Sequence, residues 1–321
     1  MKFDDLYRLS VETGIANDLR GPDEVRRLLA EENEAFGKLK DDALEFFDRD
    51  RLFNPYADTR ILNGDPNTEV RRALIGIDME VGEILLAHLL NRDAGRGIDL
   101  VIAHHPEGRA LARLADVMKL QADLLAAAGV TVSVAEQLLE KRISEVERRL
   151  LPTNHGRAVD AARVLGLPLM CVHTPADNCV TRHLADLIAR KPPARLKDLV
   201  KLLLEIPEYR RSAMAQVPPK IVAGSDDNRC GKIFVDMTGG TEGSKEIFER
   251  YAQAGVSTLL GMHFGEEGLE KARKANLNVV VAGHIASDAL GLNLLFDEVE
   301  KVGSLDFVCV SGFERHRRAA S

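Results

Sequence analysis

Along the second half of the chain, short apolar runs alternate with longer stretches in which apolar residues return every three or four positions. KIFVD (232–236), VSTLLGM (256–262), LNVVVAG (277–283) and LDFVCVS (305–311) have the length and β-branched content of strands. Helical spacing fills about 243–254, 266–275 and 286–302 between them. The first half repeats the alternation less regularly. ALIGID (73–78), GIDLVIAHHP (97–106) and LPLMCVH (167–173) are strand-type runs, with helical patterns at 79–93, 108–128 and 134–150, a shorter one after Thr153, and two more split by the KPP at 191–193. Strands separated by helices predict βαβ units and a mostly parallel sheet, an α/β fold. No repeat of solenoid or propeller length is visible.

Segment 1–60 breaks this pattern. It is charged and helix-favouring, with Pro22 placed to open a helix, and it runs into a loop-like stretch, NPYADTRILNGDPN (54–67). The expected organisation is a helical N-terminal appendage (1–60) that covers the core or meets a neighbouring subunit, a first α/β lobe (70–205) and a second (220–321). The lobes are expected to fold as one cooperative unit.

Composition narrows the function classes. With 43 Lys+Arg against 50 Asp+Glu the net charge is −7, which disfavours a general nucleic-acid binder. The start, MKFDDLYRL, lacks the layout of a secretory signal, and no apolar run reaches the roughly 20 residues of a membrane span. A cytoplasmic location with no membrane partner is expected. The four cysteines (Cys171, Cys179, Cys230, Cys309) form no CxxC pair and read as reduced, packed thiols rather than a zinc knuckle.

Candidate chemistry gathers where strand-type runs end, the place where open α/β sheets collect ligands. VIAHHPEG brings His104 and His105 together before Pro106. A continuing strand would point the two rings to opposite sides, whereas a turn at Pro106 would aim both at one site. CVHTPADN offers His173 and Asp177; Pro175 between them reads as a loop, and Asp177 is equally suited to capping a following helix. VVVAGHIASDALG offers His284 and Asp288 beside the start of a helix, where a carboxylate also suits the positive helix end. Each cluster has an ordinary structural explanation. Together they supply four histidines and two carboxylates without thiolate, a set that suits zinc, manganese, iron or nickel better than calcium.

The motifs AHHP (103–106), HTPAD (173–177) and GHIASD (283–288), in this order, with VDMTGGTEGS (235–244) before a second-half helix, resemble the Nif-three-like family of dinuclear-metal-centre proteins, to which a GTP cyclohydrolase type 2 activity is often ascribed. The resemblance covers roughly the span 70–321. It implies two α/β lobes with the metal site between them, two divalent transition-metal ions per chain and a toroidal homo-hexamer. It further implies His104, His105, Asp177, His284 and Asp288 as ligands, Asp177 or Asp288 bridging, and His173 as a supporting residue around them. HTPAD ends at position 177 and the Gly-rich segment begins at 235, too short an interval for a large inserted domain, so none is expected. Where the family usually has Glu, this chain has Asp288, whose shorter arm could change the bridging. The long helical excursion after His105 and segment 1–60 are also unmatched.

Two functions follow as expectations. One is a metal-dependent hydrolase of a small molecule, with Glu107 beside the histidine pair as a candidate general base. The other is a non-enzymatic metal-binding scaffold or partner-binding ring. The open histidine–carboxylate set favours the enzyme. TGGTEGSKE lacks P-loop spacing and reads first as a tight turn, with anion binding as the functional alternative. His263 follows a strand and is a candidate cavity residue, with Glu266 or Glu267 beside it.

Overall fold

The computed structural model describes residues 1–94 and 97–318. Among them, nine strands form two sheets: β1 (Arg60–Asn63), β2 (Arg72–Gly76), β3 (Leu100–Ala103), β4 (Leu169–Cys171), β5 (Lys220–Ala223), β6 (Lys232–Asp236), β7 (Val256–Gly261), β8 (Asn278–Val281) and β9 (Asp306–Cys309). The first sheet has the order β1-β4-β3-β2-β9 and the second β5-β8-β7-β6. In each, a single antiparallel edge strand is followed by parallel strands only. The α/β class with mostly parallel pairing is therefore as the alternation predicts, and the two sheets are as the family resemblance implies.

The two sheets repeat one another. The span from Arg60 to Arg72 matches that from Lys220 to Lys232, and both edge strands shift register at the same point, Ile61/Asn63 and Ile221/Ala223. Each copy is far longer than a solenoid unit, and the two share little sequence. The repeat is carried by topology.

Between the sheets lie two long helices, Thr174–Arg190 and His284–Glu300, packed against each other. Each buries residues in two directions. Ala176, Cys179, Leu292 and Phe296 pack toward the first sheet with Ala73, Ile75, Ile102 and Met170. Val180, Leu184, Ala286 and Leu290 pack toward the second with Val235, Leu260 and Val280. Alternation along β2 then sends Leu74 to the outer face, where the Val81–Ala94 and Arg157–Leu165 helices cover it.

Several expectations change. The N-terminal Phe3–Asn17 helix is no appendage: Phe3, Leu6, Tyr7, Val11 and Ile15 are in the main core, against both central helices. β1 arises where the sequence reads as loop and β5 where the alternation assigns no element, because such short edge strands with a register shift carry almost no periodicity. β9, near the end of the chain, pairs with β2 in the first sheet rather than completing the second. The 108–128 stretch breaks into three short helices, Gly108–Ala112, Leu114–Val117 and Leu120–Ala127, and the helix expected over 243–254 is only Phe248–Gln253. Among the described residues no helix is long and apolar enough to cross a membrane.

Candidate metal centre

β3 ends at Ala103, yet the backbone amides of His104 and His105 still donate to the carbonyls of Gly76 and Ile77, at 3.0 Å each. Both imidazoles nonetheless reach one cluster: the ring centres of His104 and His105 are 5.4 Å apart, and those of His104 and His173 4.8 Å. The open question about this pair is thus answered in favour of convergence. His173 precedes the Thr174–Arg190 helix, and Pro175 lies in its first turn rather than in a loop. That position tolerates proline because the first-turn amides have no partner within the helix. His173 and Asp177 are therefore a helical i,i+4 pair, 3.8 Å apart. In the second half, Gly283 at φ 109° turns the chain from β8 into the His284–Glu300 helix, and Asp288 lies one turn in from His284.

These elements bring His104, His105, His173, Asp177, His284 and Asp288 into one place. Asp288 is 1% exposed, and its two oxygens face different neighbours. Oδ1 is 3.5 Å from His104 Nε2, which is also 3.4 Å from Asp177 Oδ1. Oδ2 is 3.4 Å from His105 Nε2 and 3.4 Å from His284 Nε2. Three overlapping groups could hold a metal ion: His104–Asp177–Asp288, His105–His284–Asp288 and His104–His105–His173. His104 Nε2, Asp177 Oδ1 and both Asp288 oxygens are buried without a hydrogen-bond partner. Buried polar atoms are almost always paired, so these four fit a site that takes a cation.

The surroundings fix which nitrogens point inward. His104 Nδ1 is 3.0 Å from the Val172 carbonyl, an acceptor only, so Nδ1 donates to it and Nε2 is the nitrogen turned toward the site. His105 Nδ1 is held in the same way by Asp78 at 2.6 Å, and His173 Nδ1 by the buried Asp58 at 2.8 Å. Asp58 also accepts from Thr174 Oγ1 at 2.6 Å. Burial opposes protonation of His104, but Asp288 and then Asp177 outweigh it and push its pKa up to about 10. Burial raises Asp288, and the histidines, His104 first, more than reverse this and hold it well below the ordinary carboxylate range. Both shifts report strong demand for positive charge between the carboxylates. His284 is shifted down, by burial first and then by His263 and His105, against the pull of Asp288.

The sequence by itself does not mark Asp58 or Asp78 as partners of the cluster. Asp78 directly follows a strand-type run, which is a usable signal; Asp58 falls in a loop-like stretch and gives none. Glu107 is half-buried, and its carboxyl is pushed up to about 7 by burial and then by Glu80. It is not among the residues lining the cavity beside the cluster, which include His173, Asp177, His284 and Asp288. His263 does line it, with its ring centre 4.9 Å from that of His284. Glu266 and Glu267 do not, and Glu267 pairs instead with Lys245 and Lys271. The Gly-rich loop forms one wall. Gln121 Nε2 donates to the carbonyls of Gly239 and Thr241 at 2.7 Å, and Arg142 Nε to that of Glu242 at 3.0 Å. The helical excursion after His105 thereby holds this loop in position.

Fold and site together define an α/β protein with a histidine–aspartate cluster, able to hold metal, at the strand ends of two repeated sheets. No family model matches the sequence, and no curated protein matches it. Solved structures do. A NIF3 superfamily protein from Sphaerobacter thermophilus aligns with a TM-score of 0.68 and 28% identity, over 80% of this chain and 91% of its own. Reduced HcgD from Methanocaldococcus jannaschii aligns at 0.48 and 16%, over 78% and 87%. A Bacillus cereus protein related to NIF3 aligns at 0.42 and 12%, over 82% and 93%. The first of these shows that the chain shares the fold of a NIF3 superfamily protein, the family its motifs resemble.

Proposed function

We propose that the chain binds two divalent transition-metal ions (Zn, Mn, Fe or Ni) in sites that share Asp288, and that it uses them as a metal-dependent hydrolase of a small molecule. The observation that carries this is the convergence of four buried, unpartnered polar atoms, His104 Nε2, Asp177 Oδ1 and both Asp288 oxygens. One ion would take His104, Asp177 and Asp288 Oδ1; the other would take His105, His284 and Asp288 Oδ2, with His173 supporting. Asp in place of Glu fits this assignment, since its two oxygens already face the two groups separately. Paired divalent ions polarise a substrate oxygen and bring water to hydroxide near neutral pH.

The chain's own residues would do the rest. Val172 and Asp78 hold the Nδ1 protons of His104 and His105, so that Nε2 stays directed at the site. Glu107, half-buried beside the histidine pair, is the proposed proton acceptor. A cavity along the second sheet's strand ends gives a substrate access to the cluster. A GTP cyclohydrolase-like activity and a homo-hexameric assembly rest on the family resemblance alone.

Elemental analysis of protein purified without added metal tests the first step. About two ions per chain are expected, and Asp288→Asn should lose most of both while keeping the side chain's shape. No metal uptake even on reconstitution would sink the reading. A hydrolysis screen over nucleotides, phosphoesters and amides then compares the native protein with His105→Ala and Glu107→Gln. The Gln variant should keep its metal and lose about 100-fold or more in kcat.

A further inference from the structure

Three consecutive parallel strands of the second sheet end in polar groups: His284 after β8, His263 after β7 and Asp236 closing β6. Neighbouring strands lie about 4.8 Å apart, which puts Asp236 about 10 Å from the His284 strand end. The cavity runs along this row. At one end are Asp177, His284 and Asp288, and at the other Asp236, Glu242 and Tyr251 with the phenyl rings of Phe234, Phe248 and Phe264.

The fold does not require a carboxylate at position 236. In the first sheet the equivalent residue, paired in the same way with the last residue of the next strand, is Gly76. There β9 lies alongside, and a Cβ would meet the Val310 carbonyl at 2.7 Å. No described strand covers β6, so the second sheet has room for a side chain. The one present has no hydrogen-bond or ion-pair partner among the described residues. Cations nearby are committed elsewhere: Lys245 pairs with Glu267, and Lys271 with Glu246. A second acid, Glu242, lines the same cavity, anchored by the Gly265 amide at 3.2 Å. Burial and then Glu242 push Asp236 up to about 6. Phe234 and Tyr251 also line the cavity, with ring centres 4.8 Å apart and planes tilted by 44°. A partly exposed carboxylate without a counter-charge, next to another acid and beside aromatic rings, gains from a positive ligand that takes the place of its water. The cavity, about 90 Å³, limits the enclosed part of such a ligand to one compact group.

We propose that Asp236 is a specificity residue, selecting substrates that carry a compact organic cation, an amine or amidinium on a short apolar or aromatic body, with the hydrolysed group at the metal cluster. This rests on the hydrolytic reading above. Glu242 adds to the negative field at the same end, and the aromatic rings supply the walls.

Benzamidine and its neutral isostere benzamide test this by calorimetric titration into metal-reconstituted, full-length protein. Native protein should bind benzamidine at least about ten-fold more tightly, and Asp236→Asn should cut that preference to about three-fold or less with benzamide affinity unchanged. Equal affinities in the native protein, or an undiminished preference in Asp236→Asn, would overturn the proposal. Should that variant fail to show a cooperative melt, Glu242→Gln serves instead, with the preference expected to fall about three-fold and an unchanged preference counting against it. Metal content measured on the same samples separates the two readings. Protein that carries metal without a cation preference overturns the substrate class alone. Protein that takes up no metal overturns the hydrolytic reading, whatever benzamidine does.

Discussion

His173 shows how much one residue's role depends on its neighbours. In the sequence it stands beside Asp177 as a matching donor. In the structure its Nδ1 is engaged by Asp58, a fully buried carboxylate that also accepts from Thr174 and has no lysine or arginine partner among the described residues. Asp58 therefore orients both the imidazole and the start of the helix that carries Asp177. Asp58→Asn keeps the shape but puts an amide NH2 in place of one oxygen, where each carboxylate oxygen accepts from two donors. It should weaken metal binding by about 10–100-fold and lower stability by about 1–3 kcal/mol. Competition against a chelating dye and a denaturant melt would measure the two, and native-like metal affinity would show that His173 needs no such support. Asp78, more than half exposed, should matter less when changed to Asn.

At the scale of elements, the cluster exists because two helices meet closely at their ligand-bearing ends. Gly291 makes that approach feasible: a Cβ there would lie 2.4 Å from the Ala176 carbonyl oxygen, a backbone atom that cannot swing away. The helix that carries Asp177 is fixed from behind by Gly14 of Phe3–Asn17, where a Cβ would meet the Pro175 Cα at 2.7 Å. Gly291→Ala should cost roughly 1–3 kcal/mol through overpacking. It should also separate Asp177 from Asp288 and reduce metal occupancy. An exposed change such as Val302→Ala is the control. If Gly291→Ala melts and binds metal as the native chain does, helix spacing is not what sets the site.

For the whole molecule, the proposed ions would tie together segments that lie far apart in the sequence, those of His104, Asp177 and Asp288. Metal that binds only the folded chain stabilises it by about 2.7 kcal/mol at a hundredfold excess over Kd. Chelation should therefore lower the melting temperature by roughly 4 °C for each ion lost, and acidification should do the same as protons displace metal from the histidines. An unchanged melt after verified metal removal would show that the cluster contributes nothing to holding the two sheets together.

The alternation of apolar runs determined the α/β class, seven of the nine described strands and most of the longer helices, because strand and helix periods are local properties of the chain. The same runs placed three histidine-bearing motifs at strand ends, and so gathered every residue of the candidate cluster. Tertiary structure decided what the pattern leaves free. It settled that His104 and His105 converge despite the alternation of a strand, because their neighbours on β4 and the two central helices surround one point. It turned His173–Asp177 into a helical pair, and it made the first helix part of the core. It also gave Asp236 its meaning: position 76 is closed by β9 and position 236 is not. Which side chain faces an open cavity depends on strand order, and strand order is not a local property of the chain.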